Sequence, residues 1–204
     1  MQQIIAIHGA TTFATYDSYL KSLATEPLIL ERFTYKPTWK ELLKEKLGDE
    51  YQVLLPAMPN KTNARYSEWK VWFDHFSDLI ADDCILIGHS MGAVFLAKYL
   101  SQHAFPAKIK ATILVATPYN DESDEDLGDF KLESITDLFK SQAGAVFIIN
   151  GNDDPVISAA DIQKYKDDLP DAQFLTIPAS DHFMRVDFPE MTNILKTLQQ
   201  TRGL

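Results

Sequence analysis

Six short apolar runs recur along the chain, at residues 4–7, 52–55, 84–87, 111–115, 145–149 and 174–177, with stretches of helical spacing between them. Most of the runs are rich in Ile, Val and Leu and lack polar alternation, the pattern of a strand buried on both faces. Such strands alternating with helices imply right-handed crossovers and a parallel sheet. Tyr66, Trp69, Phe73, Phe76 and Ile80 recur at three- and four-residue steps and form one stripe. That stripe predicts a helix packed on the sheet rather than an aromatic binding surface. Trp39, Leu42, Leu43 and Leu47 predict another helix, closed by Gly48. Further helices are predicted over 16–23, 93–102, 158–169 and 189–198.

The composition changes this picture little. With 204 residues, 46% hydrophobic and 24% charged, the chain reads as one ordinary globular domain spanning 1–204. Its net charge of -10 disfavours nucleic acid and anionic membranes as partners, since both require a basic footprint. The single cysteine, Cys84, rules out an internal disulfide, and its place in an apolar run marks a buried structural thiol. The N-terminus lacks the basic region of a secretory signal, and no apolar run is long enough to span a bilayer. A cytoplasmic location is the expectation.

The strongest chemical signal is Gly88-His89-Ser90-Met91-Gly92, a G-x-S-x-G between the run at 84–87 and the helical stretch at 93–102. Turning from strand to helix at one residue strains the backbone and lifts the serine hydroxyl to the apex. The new helix aims its first N–H groups at the place where negative charge develops. Ser90 is therefore the candidate nucleophile. Of the five histidines, His75 and His103 fall within helices, and His89 is better placed to pack beneath the turn than to face Ser90. His182 follows the last predicted strand, where catalytic groups collect in parallel sheets, and is the candidate base. An orienting carboxylate is expected after the fifth strand, in Gly151-Asn152-Asp153-Asp154-Pro155-Val156. Asp153 and Asp154 compete there, and the following Pro and apolar residue favour Asp154. The resulting order, Ser then Asp then His, is that of α/β-hydrolases. Met91 N–H is the candidate for one oxyanion donor, and Ala10 N–H, in His8-Gly9-Ala10 after the first strand, for the other.

Taken together, the chain resembles the small serine hydrolases of the retinoblastoma-binding-protein-nine type, a compact branch of the α/β-hydrolases. The resemblance runs through the early strand, through 54–59 (Leu-Leu-Pro-Ala-Met-Pro), through 87–93 around Ser90, and through Asp153-Asp154-Pro155 and His182-Phe183. It implies a triad of Ser90, Asp154 and His182. The chain departs from relatives in carrying His-Gly-Ala-Thr-Thr in place of a glycine-rich oxyanion loop, and in extra residues around 14–36.

The expected fold is α/β: six parallel strands in the order 2-1-3-4-5-6 with helices on both faces. The expected chemistry is hydrolysis of an ester or amide of a small-molecule acyl substrate, without cofactor or metal. The alternative is a catalytically weak binding or regulatory protein on the same scaffold. Segments 11–38 and 119–140 are long for connections and are candidate lids. The second holds Asp121, Glu122, Asp124, Glu125, Asp126 and Asp129, a run without EF-hand spacing. It is expected to overhang Ser90, with a short helix over 132–139, and to disfavour anionic substrates.

Overall fold

The computed structural model describes residues 1–120 and 126–200. Among them the strands are β1 Gln2–Ile7, β2 Tyr51–Leu54, β3 Cys84–His89, β4 Ile109–Val115, β5 Ala145–Gly151 and β6 Gln173–Ile177. They pair in parallel throughout, in the order β2-β1-β3-β4-β5-β6. This is the α/β-hydrolase arrangement expected from the pattern. Because every strand runs the same way, the loops following β1, β3, β5 and β6 all leave one edge of the sheet, and that edge is where a site can form.

The helices are α1 Tyr16–Thr25, α2 Trp39–Leu47, α3 Tyr66–Ser77, α4 Met91–Gln102, α5 Asp137–Gln142, α6 Ala159–Asp168 and α7 Pro189–Gln200. All six residues of β3 and ten of the twelve in α4 are buried, so the strand–turn–helix unit forms the centre of the core. The aromatic stripe of α3 packs here. Trp69 and Phe73 are fully buried and meet Phe95 of α4 edge-on, with ring centroids 5.5 and 5.3 Å apart. Gly48 ends α2 with a φ of 82°, a conformation that suits glycine. None of the helices is long and apolar enough to cross a membrane, among the described residues.

The two long connections behave differently. In 11–38, α1 starts with a Thr15–Ser18 capping box and buries none of its residues. Leu20, Leu23, Leu28, Leu30 and Phe33 are exposed along this segment. The described part of segment 119–140 lies against α3 and α4. Phe130 packs on Tyr66, Trp69 and Phe95, while Leu132, Ile135 and Phe139 are buried. Its helix is displaced from 132–139 to Asp137–Gln142, because the Thr136 side chain caps it by accepting from the Phe139 N–H. Asp121, Glu122, Asp124 and Glu125 lie outside the described residues.

Candidate active site

Ser90 joins β3 to α4 with φ 53° and ψ -121°, a conformation that L-residues other than glycine rarely adopt. Its N–H donates to the Val115 carbonyl at 2.9 Å, and its own carbonyl accepts from the Ala93 N–H at 2.8 Å. The flanking glycines are required for close approach. A Cβ at Gly88 would lie 2.5 Å from the Gly92 carbonyl oxygen, and one at Gly92 would lie 2.6 Å from the carbonyl oxygens of Ile7 and His8. The turn thus presses β1, β3 and α4 together and holds the strained serine at their junction.

His182 follows β6 and Asp154 follows β5. Nδ1 of His182 donates to both carboxylate oxygens of Asp154, at 2.9 and 3.0 Å. Oδ1 of Asp154 also accepts from the Val156 N–H at 2.9 Å and the Ile157 N–H at 3.3 Å. Burial works to raise the Asp154 pKa, but the hydrogen bonds from His182 and the two amides outweigh it and hold the group below the ordinary carboxylate range. Asp153, the competing acid, instead accepts from the Ala179 N–H at 2.6 Å and closes the turn after β6. Nε2 of His182 is buried and makes no hydrogen bond within the described residues.

The loop bearing His182 is held from beneath. His182 and Phe183 both have positive φ, 50° and 55°. Nε2 of His89 donates to the His182 carbonyl at 2.9 Å, and the Trp39 indole N–H donates to the Phe183 carbonyl at 3.1 Å. His89 is 2% exposed. Its burial, aided by the charge of Lys40 and by His182, pushes its pKa well down, so its ring is neutral. With Nε2 protonated, Nδ1 is the acceptor, and the Lys40 ammonium stands 3.4 Å from it. On the other side, Nδ1 of His8 donates to the Gly9 carbonyl at 2.8 Å while its Nε2 accepts from the Met58 N–H at 3.0 Å. This ties the loop after β1 to the one after β2.

Ser90 and His182 line one cleft of about 550 Å³, within the range of small-molecule sites. His8, Gly9, Ala10 and Thr11 form one part of its wall, and Thr38, Lys40 and Glu41 another. Lys61, Thr62 and Met184 complete the rim. The described residues of 119–140 do not line it, because their apolar side chains are spent in the core at α3 and α4. Met91 N–H opens α4, where the first amides of a helix have no intrahelical acceptor. Gly9 lies so close to the serine that a Cβ there would be 3.2 Å from Ser90 Cβ. Cys84 is buried and takes no part; burial pushes its thiol up to about 12.

The family model described as serine hydrolase matches residues 35–199. The chain belongs to the serine hydrolase family. This hydrolase is 28% identical over 152 residues to serine hydrolase RBBP9 of Rattus norvegicus, covering 72% of the present chain and 78% of the relative. Among solved structures it is similar to the ydeN gene product of B. subtilis, at 17% identity and a TM-score of 0.72, covering 98% of the chain and 100% of the other. It is also similar to the thioesterase domain from the curacin biosynthetic pathway, at 15% identity and a TM-score of 0.61, covering 98% and 91%. At these identities the structural likenesses establish the α/β-hydrolase fold.

One group in the hydrolase's site escaped the sequence reading, and the contact of another was not legible there. Lys40 is 6% exposed and sits inside the buried stripe of α2 with Trp39, Leu43 and Leu47. A lysine interrupting an apolar stripe was the available signal. His89 lies beneath the turn as its position implied, but its hold on the His182 backbone depends on a loop far away in sequence.

Proposed function

We propose that this hydrolase cleaves a carboxylic ester, or an amide, of a small-molecule acyl substrate through an acyl-enzyme on Ser90. The observation that carries the reading is the bifurcated His182–Asp154 pair in the same cleft as a serine held at φ 53°. In the first step Oγ of Ser90 bonds to the acyl carbon while Nε2 of His182 takes its proton. The carbonyl oxygen becomes negative and is met by the Ala10 and Met91 N–H groups. His182 returns the proton to the leaving alcohol or amine. Water, deprotonated by His182, then displaces Ser90 and releases the acid. Asp154 fixes the tautomer with Nδ1 protonated and stabilises the imidazolium, without itself taking the proton. Catalytic hydrogen bonds commonly tighten only once substrate is bound, which accommodates the unbonded Nε2 of His182. Segment 11–38 begins and ends on the cleft at Thr11 and Thr38, and its exposed apolar side chains suit a cap. A cytoplasmic setting is in keeping with the free, buried Cys84.

A fluorophosphonate should label Ser90 and no other serine. Ser90→Ala and His182→Ala should each lower ester turnover by orders of magnitude without unfolding the chain, leaving roughly 10³-fold catalysis over water. Asp154→Asn should cripple the enzyme, and Asp153→Asn should do far less. Wild-type turnover in Ser90→Ala would end the proposal, and a reversal between the two aspartates would reassign the acid.

A further inference from the structure

We propose that Lys40, aided by Lys61, is a recognition site for a carboxylate on the substrate, so that this hydrolase prefers esters bearing a second, anionic carboxyl group. The proposal deepens the hydrolase reading of the same cleft and rests on it for the word substrate.

Four observations carry it. First, Lys40 is more than nine-tenths buried and lines the cleft. An ammonium taken out of water needs partners, because an unpaired buried charge is strongly unfavourable. Second, its partners are few. Of its three N–H donors, one is directed at Nδ1 of His89 at 3.4 Å, and the Trp39 ring lies 4.8 Å from Nζ. Among the described residues no carboxylate pairs with it. The adjacent Glu41 is engaged elsewhere, accepting from the Thr38 N–H at 2.8 Å and the Thr38 hydroxyl at 2.6 Å.

Third, among the described residues lining the cleft, two lysines face one glutamate, although the chain carries a net charge of -10. Lys40 and Lys61 both line it and both act to lower the pKa of His8, against the single charge of Glu41. Asp154 also stands beside the site, its carboxylate held by the Nδ1–H of His182. Fourth, the wall carries few large apolar side chains. Among the described residues Met184 is the one such side chain, and it is 59% exposed. Threonines and charged groups make up half of the remainder. A short acyl compound with a carboxylate fits these walls, supplying the counter-ion that Lys40 lacks. An anionic substrate is the opposite of what the acidic run in 119–140 led one to expect. The described part of that segment does not line the cleft, although the Asp126 carbonyl accepts from the Thr12 hydroxyl beside it.

The test uses a matched pair of esters that differ only in charge. Monomethyl glutarate and methyl pentanoate are titrated calorimetrically into the Ser90→Ala protein, which binds without turnover. The glutarate half ester should bind about tenfold to a hundredfold more tightly, the range for a hydrogen bond to a charged group. Its advantage should shrink as salt rises. Introducing Lys40→Met into the Ser90→Ala protein should erase the advantage, and Lys40→Arg should restore part of it. In active enzyme, the corresponding para-nitrophenyl esters should show the same preference, on KM more than on kcat.

Equal affinity for the two esters in Ser90→Ala overturns the proposal, with no Lys40 variant needed. So does undetectable binding of both, or a Lys40→Met loss equal for both, which would leave Lys40 as a support for His89. Turnover of neither para-nitrophenyl ester, with a Lys40-dependent preference intact in Ser90→Ala, would refute the hydrolase reading and leave the carboxylate site standing.

Discussion

Nε2 of His89 donates to the backbone carbonyl of His182 at 2.9 Å, so the residue before Ser90 holds the loop of the candidate base. The bond matters because His182 and Phe183 are consecutive residues with positive φ. Such backbone persists only where the surroundings over-determine it. His89→Phe keeps an aromatic ring but loses the donor. Net loss of one hydrogen bond is worth about 1 kcal/mol, so kcat should fall about fivefold with KM little changed. His89→Gln, which retains a side-chain N–H, should recover part of the rate. Equal losses in kcat for Phe and Gln, or a fall in Tm with kcat intact, would reduce His89 to packing.

The strain at Ser90 makes a second prediction. A φ of 53° with ψ -121° disfavours any residue with a Cβ. Ser90→Gly removes that penalty and should raise stability by about 1 kcal/mol in denaturant titration while abolishing turnover. Ser90→Ala keeps the Cβ and should gain little. A Gly variant no more stable than the Ala variant would mean that the turn stores no strain.

The sheet was legible because its chemistry is local. Each apolar run belongs to a strand, and the order of strands follows from crossover rules. The boundaries slipped where strands end in small or polar residues. β3 continues through Gly88 and His89, which pair with Leu114 and Val115, although the pattern ends at Ile87. The candidate site residues were legible for a related reason: in a parallel sheet each of them follows its strand directly. The Pro and apolar residue after Asp154 favoured it over Asp153, and the coordinates turn its carboxylate, not that of Asp153, to Nδ1 of His182. Two features depend on tertiary packing that the sequence does not display. The apolar residues of 119–140 fit a cap as well as a core wall, and only the aromatic pocket around Phe95 decides between them. Lys40 stands 49 residues from His89, and no local pattern links them.

The glycines around the site separate folding from chemistry. A Cβ at Gly88 would collide with backbone of Gly92 and Ala93 at 2.5 to 2.6 Å, where nothing flexible can yield. Gly88→Ala should therefore lower Tm sharply or prevent folding, at a cost of about 3 kcal/mol or more, the upper tail for overpacking. A Cβ at Gly9 would meet Ser90 Cβ at 3.2 Å and Oγ at 3.6 Å. Gly9→Ala should fold and lose activity, because the crowding falls on the nucleophile and on the adjacent Ala10 N–H. Circular dichroism beside ester turnover distinguishes the two outcomes. Equal Tm losses would show that the loop after β1 is as rigid as the turn at Ser90.

Lys40 ties the electrostatics of the cleft to the stability of the fold. Burial lowers its pKa from 10.5 to about 8, partly opposed by Glu41 beside it. The neighbouring His89 and the loop of His8 carry no negative charge to offset that burial. A lysine whose folded pKa lies below its unfolded value destabilises the fold wherever both states would otherwise be protonated. At pH 7 the unfolded chain keeps its proton in water, while the folded chain must hold a charge in a drier place. A displacement from 10.5 to about 8 corresponds to about 3 kcal/mol as an upper bound. Between about pH 8 and 10.5 the unfolded state binds more protons than the folded one, so this penalty is relieved as pH rises through that window. Lys40→Met retains most of the buried stem without the charge. It should therefore be more stable than the wild type at pH 7, by up to a few kcal/mol, and the difference should shrink steadily towards pH 10.5. Urea titrations at pH 7 and pH 10 check it. A variant less stable than wild type at pH 7, or a difference independent of pH, would mean that Lys40 is already stabilised within the fold and lacks no counter-ion. The predicted gain in stability, paired with loss of preference for a carboxylate, is the signature of a charge kept for binding at the expense of the fold.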